Sequence, residues 1–82
     1  FDAFVGSYEL KPSFSIEISR DGGRFYAQAT GQPRLEIVAE SETSFAVKEV
    51  EAKIEFVRGA DGKVQQLILH QGGHDQTGRR VE

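Results

Sequence analysis

Apolar and polar residues alternate one by one along most of the chain. Phe14, Ile16 and Ile18 are separated by the polar residues Ser15 and Glu17, and the same period of two recurs in five further segments. A strand with one face in a core and the other in water produces this pattern. The segment with the highest helix propensity, 46–56, is flanked by β-branched and aromatic residues, which favour strand–turn–strand instead. The pattern therefore predicts an all-β protein of antiparallel strands.

Turn-forming residues interrupt the alternation about every ten residues, as in all-β sandwiches and barrels. Asp21-Gly22 and Asp61-Gly62 each lie between apolar runs, and Asp-Gly supplies the positive φ angles that a tight hairpin turn requires. Pro33 cannot donate to a central ladder and therefore indicates a third turn. The predicted strands lie near residues 4–10, 13–20, 24–31, 34–40, 44–50, 52–58 and 63–71, with an eighth candidate at 75–82.

These segments fit a small antiparallel up-and-down barrel or meander of seven to eight short strands. Closure into a barrel would remove exposed sheet edges, which are a hazard for a small β protein. An eight-stranded barrel is just wide enough for side chains to fill it or for one small ligand. With strands this short we expect side chains to fill the interior. The residues predicted to face inward are Tyr8, Leu10, Phe14, Ile16, Ile18, Phe25, Ala27, Leu35, Ile37, Phe45, Val47, Ile54, Phe56, Leu67 and Leu69.

Length and charge narrow the class of protein. The 82 residues are enough for one domain, 1–82, and the net charge is −3 without a clustered basic stripe, which is not the pattern of a nucleic-acid-binding protein. No apolar run approaches the roughly 20 residues of a membrane-spanning helix. The absence of cysteine excludes disulfides, thiolate metal sites and a cysteine nucleophile. Residues 1–10 lack the pattern of a signal peptide, and the opening Phe1-Asp2-Ala3 suggests a piece excised from a longer protein.

The candidate chemistry is sparse. His70 and His74, with Asp75 as a further candidate ligand, form the only arrangement that suggests a metal site, but two histidines across a strand end fall short of the three or four ligands such a site needs. The alternative is two surface imidazoles. No serine lies in a Gly-x-Ser-x-Gly elbow or a Ser-x-x-Lys motif, and the paired carboxylates fall on polar strand phases or in turns. We therefore predict no catalytic residue, no metal and no cofactor.

Two large side chains stand on the outward phase of their strands. Tyr26 alternates with Phe25 and Ala27, and Ile68 alternates with Leu67 and Leu69. Tyrosine and large aliphatic residues on an outer face can mark a partner interface, although single exposed apolar residues are also normal. Tyr26, Ile68 and the outward His70 are accordingly the candidate interface or ligand-binding residues.

An ordered set of short motifs resembles one known family. The motifs are Val5-Gly6-Ser7-Tyr8-Glu9-Leu10, Gly23-Arg24-Phe25-Tyr26-Ala27-Gln28-Ala29-Thr30-Gly31-Gln32-Pro33, Glu40-Ser41-Glu42-Thr43-Ser44-Phe45, Ile54-Glu55-Phe56-Val57-Arg58, Gly62-Lys63-Val64 and Leu67-Ile68-Leu69-His70-Gln71-Gly72-Gly73. In this order and spacing they are similar to the small lipocalin-like domain of unknown function found at the C-terminus of bacterial β-lactamase-related serine hydrolases (penicillin-binding-protein-like, class C type). The resemblance covers nearly the whole chain.

The resemblance implies an antiparallel barrel and a non-catalytic role, because no residue here matches the catalytic serine and lysine of the hydrolase domain upstream. It implies a periplasmic or extracellular accessory domain that packs on the catalytic hydrolase domain of the same chain or on a neighbouring subunit and shapes access to the active site. The alternative is a binding module that admits a small apolar or peptide-like ligand at the barrel end. An open apolar pocket would favour the alternative, whereas Phe14, Phe25, Phe45 and Phe56 meeting in the middle would exclude it. An autonomous enzyme is a third, less favoured hypothesis.

Overall fold

The computed structural model describes residues 4–81, which form eight antiparallel strands. All seven predicted strands are present, and the eighth candidate is a strand as well. Residues 1–3, which include most of the opening segment, and residue 82, at the end of the eighth candidate, lie outside the described residues. The strands are β1 (Gly6–Lys11), β2 (Phe14–Asp21), β3 (Arg24–Ala29), β4 (Leu35–Ala39), β5 (Ser44–Val47), β6 (Ala52–Arg58), β7 (Val64–Gln71) and β8 (His74–Arg80).

Each strand pairs with the next along the chain, and β8 pairs with β1, so the sheet is a closed up-and-down barrel. The prediction of a small all-β barrel is thereby confirmed. The ladder between the first and last strands is short: within residues 4–81 it has the pairs Tyr8 with Arg80 and Glu9 with Arg79, whereas six residue pairs join β7 to β8. Two further hydrogen bonds cross this seam, from the Val81 N–H to the Ser7 carbonyl at 2.9 Å and from the Arg80 guanidinium to the Val5 carbonyl at 2.7 Å. Beyond these pairs, Leu10 covers Gly78, where an added Cβ would lie 2.7 Å from the Leu10 Cδ1 atom.

Two hairpin turns confirm the interpretation of the Asp-Gly pairs. Gly22 has φ +64° and Gly62 has φ +80°, values that glycine adopts without steric cost. In the turn between β1 and β2, Ser13 has φ +69°, which is uncommon for a residue with a Cβ. The largest difference from the predicted bounds is in β5, which ends at Val47 rather than near residue 50, where charged residues follow it.

The up-and-down order divides the connections between two barrel ends. Residues 12–13, 30–34, 48–51 and 72–73 connect strands at one end, which we call the mouth. Residues 22–23, 40–43 and 59–63 connect strands at the other, which we call the closed end. Phe4, which precedes β1, and Val81, which follows β8, also lie at the closed end. Both ends of the described chain are therefore remote from the mouth.

The interior of the barrel is apolar, with no buried polar or charged residue among those described. Every residue predicted to face inward is buried or packs against the buried cluster, except Phe14, which lies at the mouth. The buried cluster also contains Phe4, Ala52 and Val64, which the alternation did not identify. In residues 4–81 we find no helix long and apolar enough to cross a membrane.

Candidate functional site at the barrel mouth

The mouth opens into a cavity of about 420 Å³ inside the barrel. Its wall is built from inward-facing residues of β2 to β7 together with the loops that connect β3 to β4 and β5 to β6. The lining residues carry no charged side chain; they are Phe14, Ile16, Ala27, Ala29, Gln32, Pro33, Leu35, Val47, Val50, Ala52, Ile54, Leu69 and Gln71. A concave, mostly apolar space of 300–1,000 Å³ with few polar groups is typical of small-ligand sites.

A cluster of aromatic rings fills the opposite half of the barrel. Phe4 stacks on Phe56 with ring centroids 4.6 Å apart, and Phe45 meets the ring of Phe56 edge-on at 5.5 Å. Phe25 in turn lies 5.7 Å from Phe45. The hydroxyl of Tyr8 donates a 2.8 Å hydrogen bond to the Phe4 carbonyl, which ties the entering chain to the cluster.

The expectation of a filled interior is therefore correct for one end only. Three of the four phenylalanines, Phe25, Phe45 and Phe56, meet in the closed half, but Phe14 lies apart, in the wall of the cavity. The space exists because inward positions near the mouth carry small residues, Ala27 and Ala29. The buried side chains Ile16 and Ile54 line it on the side of the aromatic cluster.

Two glutamines and two apolar loop residues form the rim. Gln32 and Gln71 are exposed and supply amide groups at the entrance. The Gln32 carbonyl accepts a 3.1 Å hydrogen bond from the side-chain amide of Gln28, which fixes the loop between β3 and β4. Pro33 and Val50 face the opening, and Val50 is 44% exposed. Sequence reasoning treated these four rim residues as turn or strand-end residues, and no periodicity distinguishes a rim from a loop.

Tyr26 lies on the outer wall at β3, half-buried beneath an arginine. The guanidinium carbon of Arg34 lies 4.0 Å from the centre of the Tyr26 ring, within the range of a cation–π contact. Arg34 also pairs with Asp21 at 3.6 Å. The Tyr26 ring thus presents one edge, rather than a bare face, to a partner.

Ile68 and His70 lie side by side on the outer wall at β7. The imidazole of His70 bridges three strands: its Nδ1 atom lies 2.7 Å from an Asp75 carboxylate oxygen on β8, and its Nε2 atom lies 3.4 Å from a Glu55 carboxylate oxygen on β6. Hydrogen bonds that the imidazole donates to the carboxylates, first of Asp75 and then of Glu55, raise the pKa of His70 above the ordinary value of 6.5. Ile68 lies opposite Glu55 and Thr77 in the ladders, so a charged and polar border surrounds it.

The structure does not bring the three predicted site residues together. Ile68 and His70 share β7, but three strands separate β7 from the strand of Tyr26 in either direction around the barrel. The two predicted patches therefore face opposite ways. A flat partner surface can cover one of them at a time.

The structure places the candidate metal and catalytic residues apart from one another. Within residues 4–81, no group of three or more His, Cys, Asp or Glu side chains could hold a metal ion. His74 is exposed at the start of β8, where its backbone pairs with Gln71 in the ladder. The hydroxyl of Ser41 accepts hydrogen bonds from the backbone N–H groups of Thr43 and Ser44, so this serine stabilises a turn.

Comparison with known proteins supports the resemblance seen in the motifs. The chain is 29% identical over its 82 residues to penicillin-binding protein 4* of Bacillus subtilis strain 168, and it spans 18% of the length of that relative. No solved structure matches the chain. The model of one family, described as a domain of unknown function (DUF3471), matches residues 1–80. This chain belongs to that family.

Proposed function

We propose that this barrel is a non-catalytic accessory domain of a β-lactamase-related serine hydrolase or peptidase. The observation that carries the proposal is the similarity to a penicillin-binding protein of which the chain spans only 18%, so that most of the relative is another part of the protein. The domain would pack on the catalytic domain of its own chain or on a neighbouring subunit, shape access to the active site, and act outside the cytoplasmic membrane. A role without catalysis is supported by the sequence, which contains neither a Gly-x-Ser-x-Gly elbow nor a Ser-x-x-Lys motif.

The outer wall offers two surfaces for such packing, the edge of Tyr26 and the side chain of Ile68. Because they face opposite ways, Tyr26→Ser and Ile68→Ser serve as controls for each other in the parent protein. We expect one of them, and deletion of the whole domain, to change the oligomeric state by light scattering or the preference between short and long substrates. The other variant should behave as the unmodified protein. If deletion changes neither property, the accessory role is wrong.

An enzymatic role for the domain itself is testable separately. The isolated chain should not hydrolyse a chromogenic β-lactam or a set of short peptides. Turnover that survives purification and disappears with a Ser→Ala change in this chain would overturn the non-catalytic assignment.

The cavity favours a second function, that of a binding module. An open apolar pocket at the mouth is expected for a binding module, whereas a fully packed barrel would lack one. It lies opposite the closed end, where Phe4 connects to the preceding residues. A domain joined to the barrel through its N-terminus would leave the mouth accessible to solvent. The two functions are compatible, since packing uses the outer wall and binding uses the interior.

A further inference from the structure

The cavity at the mouth has the properties of a site for one kind of ligand. We infer that it takes a single uncharged aliphatic chain, inserted end-first with its polar end group at the rim; this rests on the second function proposed above. The space opens to solvent at the mouth and is lined deeper in the barrel by the buried side chains Ile16 and Ile54. An apolar lining offers few hydrogen-bond partners to ordered water and therefore favours apolar ligands.

The lining decides against a charged ligand. None of the described residues that form the cavity wall carries a charge, and an ionised group placed near such a wall loses hydration without gaining a partner. The rim amides of Gln32 and Gln71 can each donate and accept hydrogen bonds. They suit a hydroxyl or amide end group. The exposed Val50 and Pro33 beside them extend the apolar contact to the entrance.

The shape of the cavity favours an aliphatic chain over a protein surface as the ligand. A docking protein would insert one side chain and leave most of the 420 Å³ unfilled. An aliphatic chain inserted end-first fills the space progressively, and each methylene that enters adds about the same increment of binding free energy. Affinity should therefore rise about fourfold with each added methylene until the chain reaches the floor.

The test uses the full 82-residue chain with octanol, decanol and dodecanol as probes, followed by methyl NMR. We expect the alcohols to shift the methyl resonances of Ile16, Ile54 and Leu69 and to leave those of Val38, on the outer wall, unchanged. Affinity should rise along the series. Decanoate at neutral pH should bind several-fold more weakly than decanol, and equal binding would overturn the uncharged end group.

A matched pair of variants locates the site. Ala29→Leu places three more carbon atoms in the cavity and should weaken decanol binding by about fifteenfold, the equivalent of two excluded methylenes. Ala46→Leu makes the same change on the outward phase of β5 and should bind as the unmodified chain does. Equal affinity in both variants would overturn the location. Thermal unfolding of both variants confirms that the barrel is intact.

The outcomes separate this inference from the function on which it rests. If indole or benzene shifts the cavity methyl groups and no alcohol does, the barrel is a binding module but the aliphatic class is wrong. If no probe shifts them, both are wrong. If the protein co-sediments with phosphatidylcholine vesicles and its methyl resonances do not respond to decanol, the ligand is a lipid in a membrane. That result would overturn a free aliphatic chain as the ligand.

Discussion

The hydrogen bond that anchors the entering chain can be removed by the substitution Tyr8→Phe. Tyr8 is fully buried and its hydroxyl donates to the Phe4 carbonyl at 2.8 Å. The substitution keeps the ring and leaves that carbonyl, on a residue only 3% exposed, without this donor. An unsatisfied buried group costs about 1–3 kcal/mol.

The expected loss of free energy is small enough for the variant to remain folded. A domain of this length has a free energy of unfolding of about 4–12 kcal/mol, so Tyr8→Phe should remain folded. Its midpoint of thermal unfolding should fall by about 4–8 °C for each kcal/mol lost, as followed by far-UV circular dichroism. Tyr26→Phe is the matched control, because Tyr26 is on the outer wall and its cation–π contact needs only the ring. Its free energy of unfolding should change by less than about 0.5 kcal/mol.

The pH dependence gives an independent readout. Burial raises the pKa of Tyr8 above its ordinary value of 10.0, and the nearby Arg80 charge offsets part of that rise. A raised folded-state pKa means that the stabilisation is complete below pH 10.0 and is lost as the pH rises toward the folded-state value. The stability difference between the unmodified chain and Tyr8→Phe should therefore narrow above pH 10. Equal midpoints at neutral pH, or a difference that does not change with alkaline pH, would refute this reasoning.

Three further predictions concern a surface imidazole, a close approach and a strained turn. Asp75→Asn should lower the pKa of His70 toward 6.5, measured by NMR titration, because the imidazole donates its shortest hydrogen bond to that carboxylate; an unchanged pKa would contradict the assignment. Gly78→Ala should cost about 1–3 kcal/mol by overpacking a leucine of β1, whereas Gly23→Ala, with no atom within 4 Å, should cost less than about 0.5 kcal/mol in denaturant unfolding. Ser13→Gly should raise the free energy of unfolding by roughly 0.5 kcal/mol, because relief of the left-handed conformation exceeds the added chain entropy; a loss would show that φ +69° carries no strain.

The fold could be predicted from the sequence because period-two alternation and Asp-Gly turns act locally. Features that depend on contacts between distant segments could not be predicted from such local patterns. β8 has no large apolar residue, so its ladders with β7 and β1, and not an apolar alternation, identify it as a strand. Phe4 precedes the first strand and enters the core through stacking on Phe56, a contact between segments far apart in the chain.

The site was less predictable than the fold. The sequence indicated that Tyr26, Ile68 and His70 face outward, but it could not show that Tyr26 lies on the wall opposite the other two, because that depends on strand order and closure. The cavity depends on the sum of volumes in one layer of the barrel. The alternation of apolar and polar residues predicts which side chains face inward, but it does not predict whether those side chains are large enough to meet at the centre of the barrel. Phe14 faces the interior, as predicted, and still leaves a space beside it.

The two-pair seam between β1 and β8 has a consequence for the order of folding. Every other pairing joins neighbours in sequence across short loops, and such contacts form quickly, whereas Tyr8 and Arg80 come from opposite ends of the chain and must overcome nearly the full loop-closure entropy. The hairpins should therefore assemble first and the seam close last. Its few ladder hydrogen bonds should also open first under native conditions, so the amides of β1 and β8 that bond across the seam should exchange with deuterium faster than those that bond to β2 and β7.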